Sequence, residues 1–360
     1  MTVYRLSGTI PSCDNNSIST ATYEDVRRWW NFIINSGFVF SNPFISTYSL
    51  VYTTSGAAYE GGILDINGNI HLAPFSAIVG QKISPAGVVS TYSLVYTTGG
   101  AYLGGCLAPN GDIHFVPCNA LIGQKVSAAG VVSTYSLAYT ISNGYNGGVL
   151  GPDGSVHLCP RSCAVGQKIS STGVVSTYSL AYTGATAYFG GVLAPNGEIH
   201  FIILDAPVGQ KLSVGGIAST YSLIKTGASM YMNGVLAPNG DIHFVPFKAN
   251  VGQKVSATGV VSTYSLVYTI DSAYNGGVLA PDGSIHFIPF SATVGQKVSL
   301  SGVVSTYSLA YTTGSAYAGG ILNINGEIHF VNCVGAVGQK ISFMKKIPIE
   351  LCLHSFYNRF

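Results

Sequence analysis

An all-β disc of seven four-stranded antiparallel blades is the fold that the sequence predicts, and three observations predict it. Seven histidines, His71, His114, His157, His200, His243, His286 and His329, stand 43 residues apart without a slip, each inside a copy of the text GGVLAPNGDIHFVP. Each repeat holds four short runs of strand type divided by turn residues. Copies fill residues 44–342 of a 360-residue chain, so one large repeat domain accounts for it better than two average domains. A period of about 40–45 residues with four strands is that of a β-propeller blade, and such blades close into a ring.

Residues 1–43 lie outside the repeat. Thr22 and Asp25 form a capping-box pattern, Val26, Trp29, Trp30, Ile33 and Ile34 share one helical face, and Gly37 supplies a stop. The pattern predicts a short amphipathic helix over about residues 23–36, packed on an end or edge of the disc or docked on another protein.

Residues 44–52, FISTYSLVY, match the fourth strand of a blade, whereas the last complete copy ends after its third strand near Ser342. Pairing these two ends closes the ring and buries two sheet edges. The tail at 343–360 offers a rival, since Ile347, Ile349, Leu351 and Leu353 alternate with other residues. The N-terminal strand is preferred because it carries the STYSL text.

Residues 100–140 illustrate one unit. A short apolar run at 101–109 leads to Asn110-Gly111, which has the composition of a type I′ hairpin, and Asp112 to Pro117 runs extended. Ile122 to Ser127 gives a third strand and, after a turn at Gly130, Val131 to Thr140 gives the fourth.

Charged residues make up only 8% of the chain and the net charge is +2, which gives no nucleic-acid footprint. The seven cysteines occupy positions that other copies fill with apolar residues; without regular spacing or a CxxC pair they read as small core residues. No secretion signal and no run of 18 apolar residues is evident. The expectation is a cytoplasmic monomer without metal or other cofactor, and without membrane or nucleic-acid partners.

The repeat text resembles the β-propeller superfamily of WD-repeat, kelch and YVTN types. In the YVTN type a strand, a Pro-Asp/Asn-Gly turn and a second strand open each blade in the same way. The text also looks like the internally amplified propellers encoded by large DNA viruses, a likeness that would imply the host cytoplasm. The superfamily implies the fold and, most often, a binding or scaffold role.

Each repeated histidine lies between apolar neighbours on the second strand, where a hydrogen bond to a hydroxyl or carbonyl is its expected use. Tyrosines precede each glycine pair, at Tyr59, Tyr102, Tyr145, Tyr188, Tyr231, Tyr274 and Tyr317. They either pack between blades or form aromatic platforms at the rim of the central channel. The copies differ immediately after that tyrosine, at Glu60, Leu103, Asn146, Phe189, Met232, Asn275 and Ala318, and in the next loop at Phe75, Cys118, Arg161, Leu204, Phe247, Phe290 and Cys333. The rim set chosen as ligand-binding is the seven tyrosines with Glu60, Asn146, Phe189, Met232 and Asn275. Seven repeated lysines in Gln-Lys pairs read as solvated edge charges.

Near-identical blades make a poor home for an asymmetric active site, and no GxSxG, HExxH or phosphate loop is present. The function expected first is therefore a non-catalytic scaffold that binds a protein partner through one disc face or the loop rims. A lectin-like propeller with several equivalent carbohydrate sites is the alternative. A calcium-dependent hydrolase or lactonase with Glu60, Asn146 and Asn275 as ligands stands third.

Overall fold

The computed structural model describes residues 43–343 except Ser55. Strand β1 (Phe44–Ser49) comes first, and β2 (Tyr59–Leu64), β3 (Ile70–Pro74), β4 (Val79–Ile83) and β5 (Val89–Ser93) form blade one. The same unit recurs as blades two to six: β6–β9 (residues 102–135), β10–β13 (145–179), β14–β17 (188–221), β18–β21 (231–265) and β22–β25 (274–308). Blade seven holds β26 (Tyr317–Leu322), β27 (Glu327–Asn332) and β28 (Val337–Ser342), and its order β26-β27-β28-β1 shows the N-terminal strand closing the ring. The register runs antiparallel from Phe44 opposite Ser342 to Ser49 opposite Val337. The expected helix at 23–36 and the rival strand in the C-terminal tail lie outside the described residues.

The first hairpin of each blade differs from the expected type I′ turn. Asn110 keeps a negative φ and only Gly111 is left-handed, at +84°, while the Gly111 amide donates to the Ala108 carbonyl at 2.9 Å. Pro109 fixes φ near −65°, which favours a type I turn, and the glycine completes a three-residue loop. The strands enter one residue later than the Asn-Gly pair alone suggests.

A column of contacts repeats through every blade. The Gly of the GlyGlnLys text faces the outer-strand tyrosine: a β-carbon on Gly80 would fall inside the Tyr92 ring. Glycine leaves the space that lets the ring lie flat on the sheet and carry its hydroxyl inward. There it meets the repeated histidine, with Nδ1 3.0 Å from the hydroxyl in the His71–Tyr92 and His114–Tyr135 pairs. At the closing blade the same pair is His329 with Tyr48 at 3.1 Å, joining opposite ends of the repeat region. Blade three departs: His157 packs edge-on against Tyr178, but Nδ1 and the hydroxyl have no partner. The histidines are 1–6% exposed, and burial pushes those at 114, 200 and 243 down to about 4.

The glutamine of each Gln-Lys pair ties one blade to the one before it. Gln81, Gln124, Gln167, Gln210, Gln253, Gln296 and Gln339 are fully buried. Each Oε1 accepts from two successive backbone amides beyond the preceding outer strand, at 2.6–3.1 Å throughout the ring. Five of the lysines are paired instead of merely solvated: Lys125, Lys168, Lys211, Lys254 and Lys340 donate to Asp112, Asp153, Glu198, Asp241 and Glu327 at 2.6–2.9 Å. These half-exposed pairs add little stability, but they remove five cations from any ring of free positive charge.

Candidate active site at the channel mouth

The innermost strands position the site. Each opens with the conserved-in-repeat tyrosine, and its register slips by a bulge before the second glycine, as between Tyr59 and Gly62. The tyrosines are 0–2% exposed and each hydroxyl donates to the carbonyl where the third strand of its own blade begins, such as Tyr59 to Val79 at 2.9 Å and Tyr102 to Ile122 at 3.1 Å. All seven rings therefore belong to the blade cores. They do not form the channel rim.

The bulge turns the residue after the tyrosine toward the axis. Glu60, Leu103, Asn146, Phe189, Asn275 and Ala318 line an axial cavity of about 310 Å³; Met232 does not, and Asn233 takes its place. Just inside, the strands crowd into a ring of left-handed residues, Gly61, Gly104, Gly147, Gly190, Asn233, Gly276 and Gly319. A β-carbon on Gly61 would stand 2.8 Å from the Gly104 Cα, closer than real side chains come. Asn233 is the exception: at φ 69° its Oδ1 accepts from the Gly234 amide at 2.9 Å, a local bond that makes the left-handed conformation tolerable.

A second ring, the loop after each second strand, surrounds this mouth. Its backbone carbonyls link to the next blade, as Arg161 O accepts from Ala187 N at 2.7 Å and Phe247 O from Ala273 N at 2.9 Å. Its side chains are mostly apolar, and Arg161 is the one charged member. Phe247 and Phe290 of blades five and six sit with ring centroids 5.7 Å apart. On the other side Arg161 reaches back to Asn143 Oδ1 at 3.4 Å and Cys118 Sγ at 3.9 Å, with its Nε unpartnered and no carboxylate within 4 Å among the described residues.

Glu60 dominates the electrostatics. Burial in the channel raises its carboxyl to about 7, and Arg161 only partly opposes the rise. The Glu60 charge in turn helps push up the Cys118 and Cys333 thiols, whose first cause is their own burial; Cys333 reaches about 12. These thiols stay protonated and are poor nucleophiles. Asn146, only 3% exposed, lines the same cavity with Nδ2 lacking any partner in the protein. That nitrogen has almost no exposed surface, so it is a polar cost that the fold carries.

Of the twelve rim residues the sequence singles out, the structure brings Glu60, Asn146, Phe189 and Asn275 together at the cavity, and places the seven tyrosines and Met232 elsewhere. Asn233 and Asn332 escaped notice. Both break the repeat, one replacing glycine and the other the proline that ends most second strands, and both polar atoms of Asn332 are buried without partners beside Cys333. No group of three or more His, Cys, Asp or Glu able to hold a metal occurs among the described residues. The cavity lining offers one carboxylate and three amides where a calcium cage needs about six or more oxygens.

No protein-family model and no curated protein sequence matches the chain. Solved structures do. A streptogramin B lyase superposes with a TM-score of 0.74 at 18% identity, over 84% of this chain and 98% of that one. A virginiamycin B lyase from Staphylococcus aureus, a catalytically inactive histidine-to-alanine form with quinupristin, gives 0.73 at 16%, over 84% and 100%. The extracellular domain of a hybrid two-component system from B. thetaiotaomicron gives 0.63 at 11%, over 84% of this chain and 42% of that one.

The class is thus a seven-bladed β-propeller, with structural neighbours in the virginiamycin B lyase family. At this identity the likeness speaks for the fold. It nevertheless corrects two expectations. The non-catalytic scaffold for a protein partner, and with it the expected absence of enzymatic activity, is not supported, because solved structures that superpose on the chain include enzyme propellers. The argument from uniform blades fails for a physical reason: the residues that line the cavity differ from blade to blade while the frame repeats, which makes the mouth asymmetric.

Proposed function

We propose that the protein is an enzyme acting on a small molecule at the channel mouth, with Glu60 as the proton-transferring group of a lyase-type elimination. The observation that carries this reading is a single carboxyl raised to about 7 in an asymmetric axial cavity. A base poised near the working pH exists in both protonation states, the condition for general acid–base catalysis. In the step envisaged, the Glu60 carboxylate takes a proton from substrate carbon. The C–H electron pair becomes a double bond, and the bond to the leaving oxygen or nitrogen breaks with its pair. Arg161, whose charge acts on Glu60, is the cation that would offset negative charge developing on a substrate oxygen.

Uniform, amplified repeats of the kind found in viral propellers suit this division, since copying keeps the frame and leaves chemistry to the varied positions. The test is turnover of a panel of cyclic and linear esters, amides and hydroxy acids, with quinupristin included, followed by mass spectrometry. Glu60→Gln is expected to lower any turnover by about 100-fold or more, and the wild-type rate to rise with a limb near pH 7. Turnover undiminished in the variant, or no turnover across the panel, refutes the reading.

A further inference from the structure

The axial cavity changes chemistry with depth. The four carboxyl or amide side chains that line it, Glu60, Asn146, Asn233 and Asn275, stand at the rim or at the waist of left-handed residues one step further in. Beyond the waist every inner strand ends in leucine, from Leu64 of β2 to Leu322 of β26, and all seven leucines line the same cavity. We infer that the channel takes a linear alkyl chain, threaded through the waist onto the leucines, with the polar end of the molecule left at Glu60. The inference rests on the mouth being the site proposed above and adds the shape that its substrate must have.

The waist sets the width. A β-carbon on Gly61 would stand 2.8 Å from the next Cα of the ring, and the corresponding gaps at Gly104, Gly147, Gly190, Gly276 and Gly319 are 2.8–3.5 Å. With a carbon–carbon bond of about 1.5 Å, successive Cα atoms are within about 5 Å of one another. Seven points at that spacing enclose a bore no wider than about 8 Å once atomic radii are allowed for. An extended methylene chain passes such a waist, and a macrocycle does not.

The leucines set the length and the chemistry. They follow the waist by three residues on each strand, about 10 Å of extended chain. Eight carbons, advancing about 1.3 Å per bond, cover about 9 Å of that depth. Leu107, Leu150, Leu193 and Leu279 stay half-buried, so apolar surface faces the channel at this level with no polar side chain beside it. A narrow apolar wall holds water poorly and gains from an apolar guest. The cavity, about 310 Å³, is at the lower end of small-ligand pockets and suits one such chain with its head group.

The experiment is calorimetric titration of the whole protein at pH 7 with 1-hexanol, 1-heptanol and 1-octanol, and with 3-ethylpentan-3-ol, an isomer of 1-heptanol that lacks a linear arm. One site per chain is expected, with affinity rising about four-fold per added methylene. The branched isomer should bind at least about 10-fold more weakly than 1-heptanol, since its short arms cannot reach from the waist to the leucines. Leu150→Asn and, separately, Leu193→Asn should weaken 1-octanol by about 10-fold and flatten the gain from 1-hexanol to 1-octanol. Near-UV circular dichroism confirms folding, and the isomer pair and chain-length series need only the native protein if a variant misfolds. Binding at about seven sites, equal affinity of the two isomers, no gain with chain length, or no saturation by 1-octanol at millimolar concentration overturns the inference. Saturable 1-octanol binding without turnover anywhere in the substrate panel upholds it and refutes the catalytic reading alone.

Discussion

Replacing one buried glutamine by leucine tests whether the ring is held by the Gln-Lys text or only by apolar packing. Gln253→Leu keeps the side-chain size but removes the acceptor of Ile224 N at 3.1 Å and Lys225 N at 2.7 Å, and the donor to Lys225 O at 3.2 Å. Each polar group left unpaired costs about 1–3 kcal/mol when water cannot reach it. Because the donors border the exposed side chain of Ile224, the low end applies, and the loss is about 3 kcal/mol for three groups. Gln167→Leu is the internal control. It strips two amides, Ala138 N and Tyr139 N, but also deletes an Nε2 that already has no partner, so its loss is nearer about 1–2 kcal/mol. Urea titration at constant slope gives both values, and hydrogen exchange at Ile224 and Lys225 should quicken in the first variant alone. Equal losses in the two variants, or unchanged exchange at those amides, would refute the assignment of the glutamines as fasteners.

Gly80→Ala is expected to expel the Tyr92 ring, break the hydroxyl's contact with His71 and cost about 1–3 kcal/mol, read as a shifted urea midpoint with altered near-UV circular dichroism. Acid should loosen the disc early. His114, His200 and His243 titrate at about 4 when folded and at about 6.5 when unfolded, so their contribution is complete above pH 6.5 and is lost as the pH falls toward 4. Three such groups give a slope approaching about 4 kcal/mol per pH unit midway through that window. Glu60, raised in the fold, works in the opposite sense as a single group. Identical urea midpoints at pH 7.5 and pH 5 would contradict this account.

The frame was legible because its signals are local and repeated. Turn glycines, alternating apolar residues and the phase of the STYSL text led to seven blades and to the closing role of residues 44–49, as β1 confirms. Hydrogen-bond use of the histidines was legible too, since a lone imidazole among Ile and Phe must find a partner; the outer tyrosine supplies it in six blades. The rim tyrosines were misplaced because the sequence does not reveal the bulge before the second glycine, which sends the following residue, not the ring, to the axis. The glutamine links were invisible for another reason: a polar residue beside lysine reads as surface, and only the neighbouring blade's amides explain its burial. The coupling of Glu60 with Arg161, Cys118 and Cys333 could be read only after the loop that follows each second strand was seen to surround the same mouth.

The strand that closes the ring meets a partner whose text, ValGlyGlnLys, occurs in other blades as well, at residues 79–82, 165–168, 208–211, 251–254 and 294–297. Such a latch does not count. Seven is therefore a number dictated by wedge shape, the angle at which successive blades pack, and not by recognition between the two ends. A gene that gained or lost one 43-residue unit would still present a competent latch, and the altered protein would stand or fall on whether six or eight wedges fill the circle. Mutational tolerance at the level of whole blades is thus built into the closure, while a change in blade number would move Glu60 relative to Arg161 and dismantle the mouth.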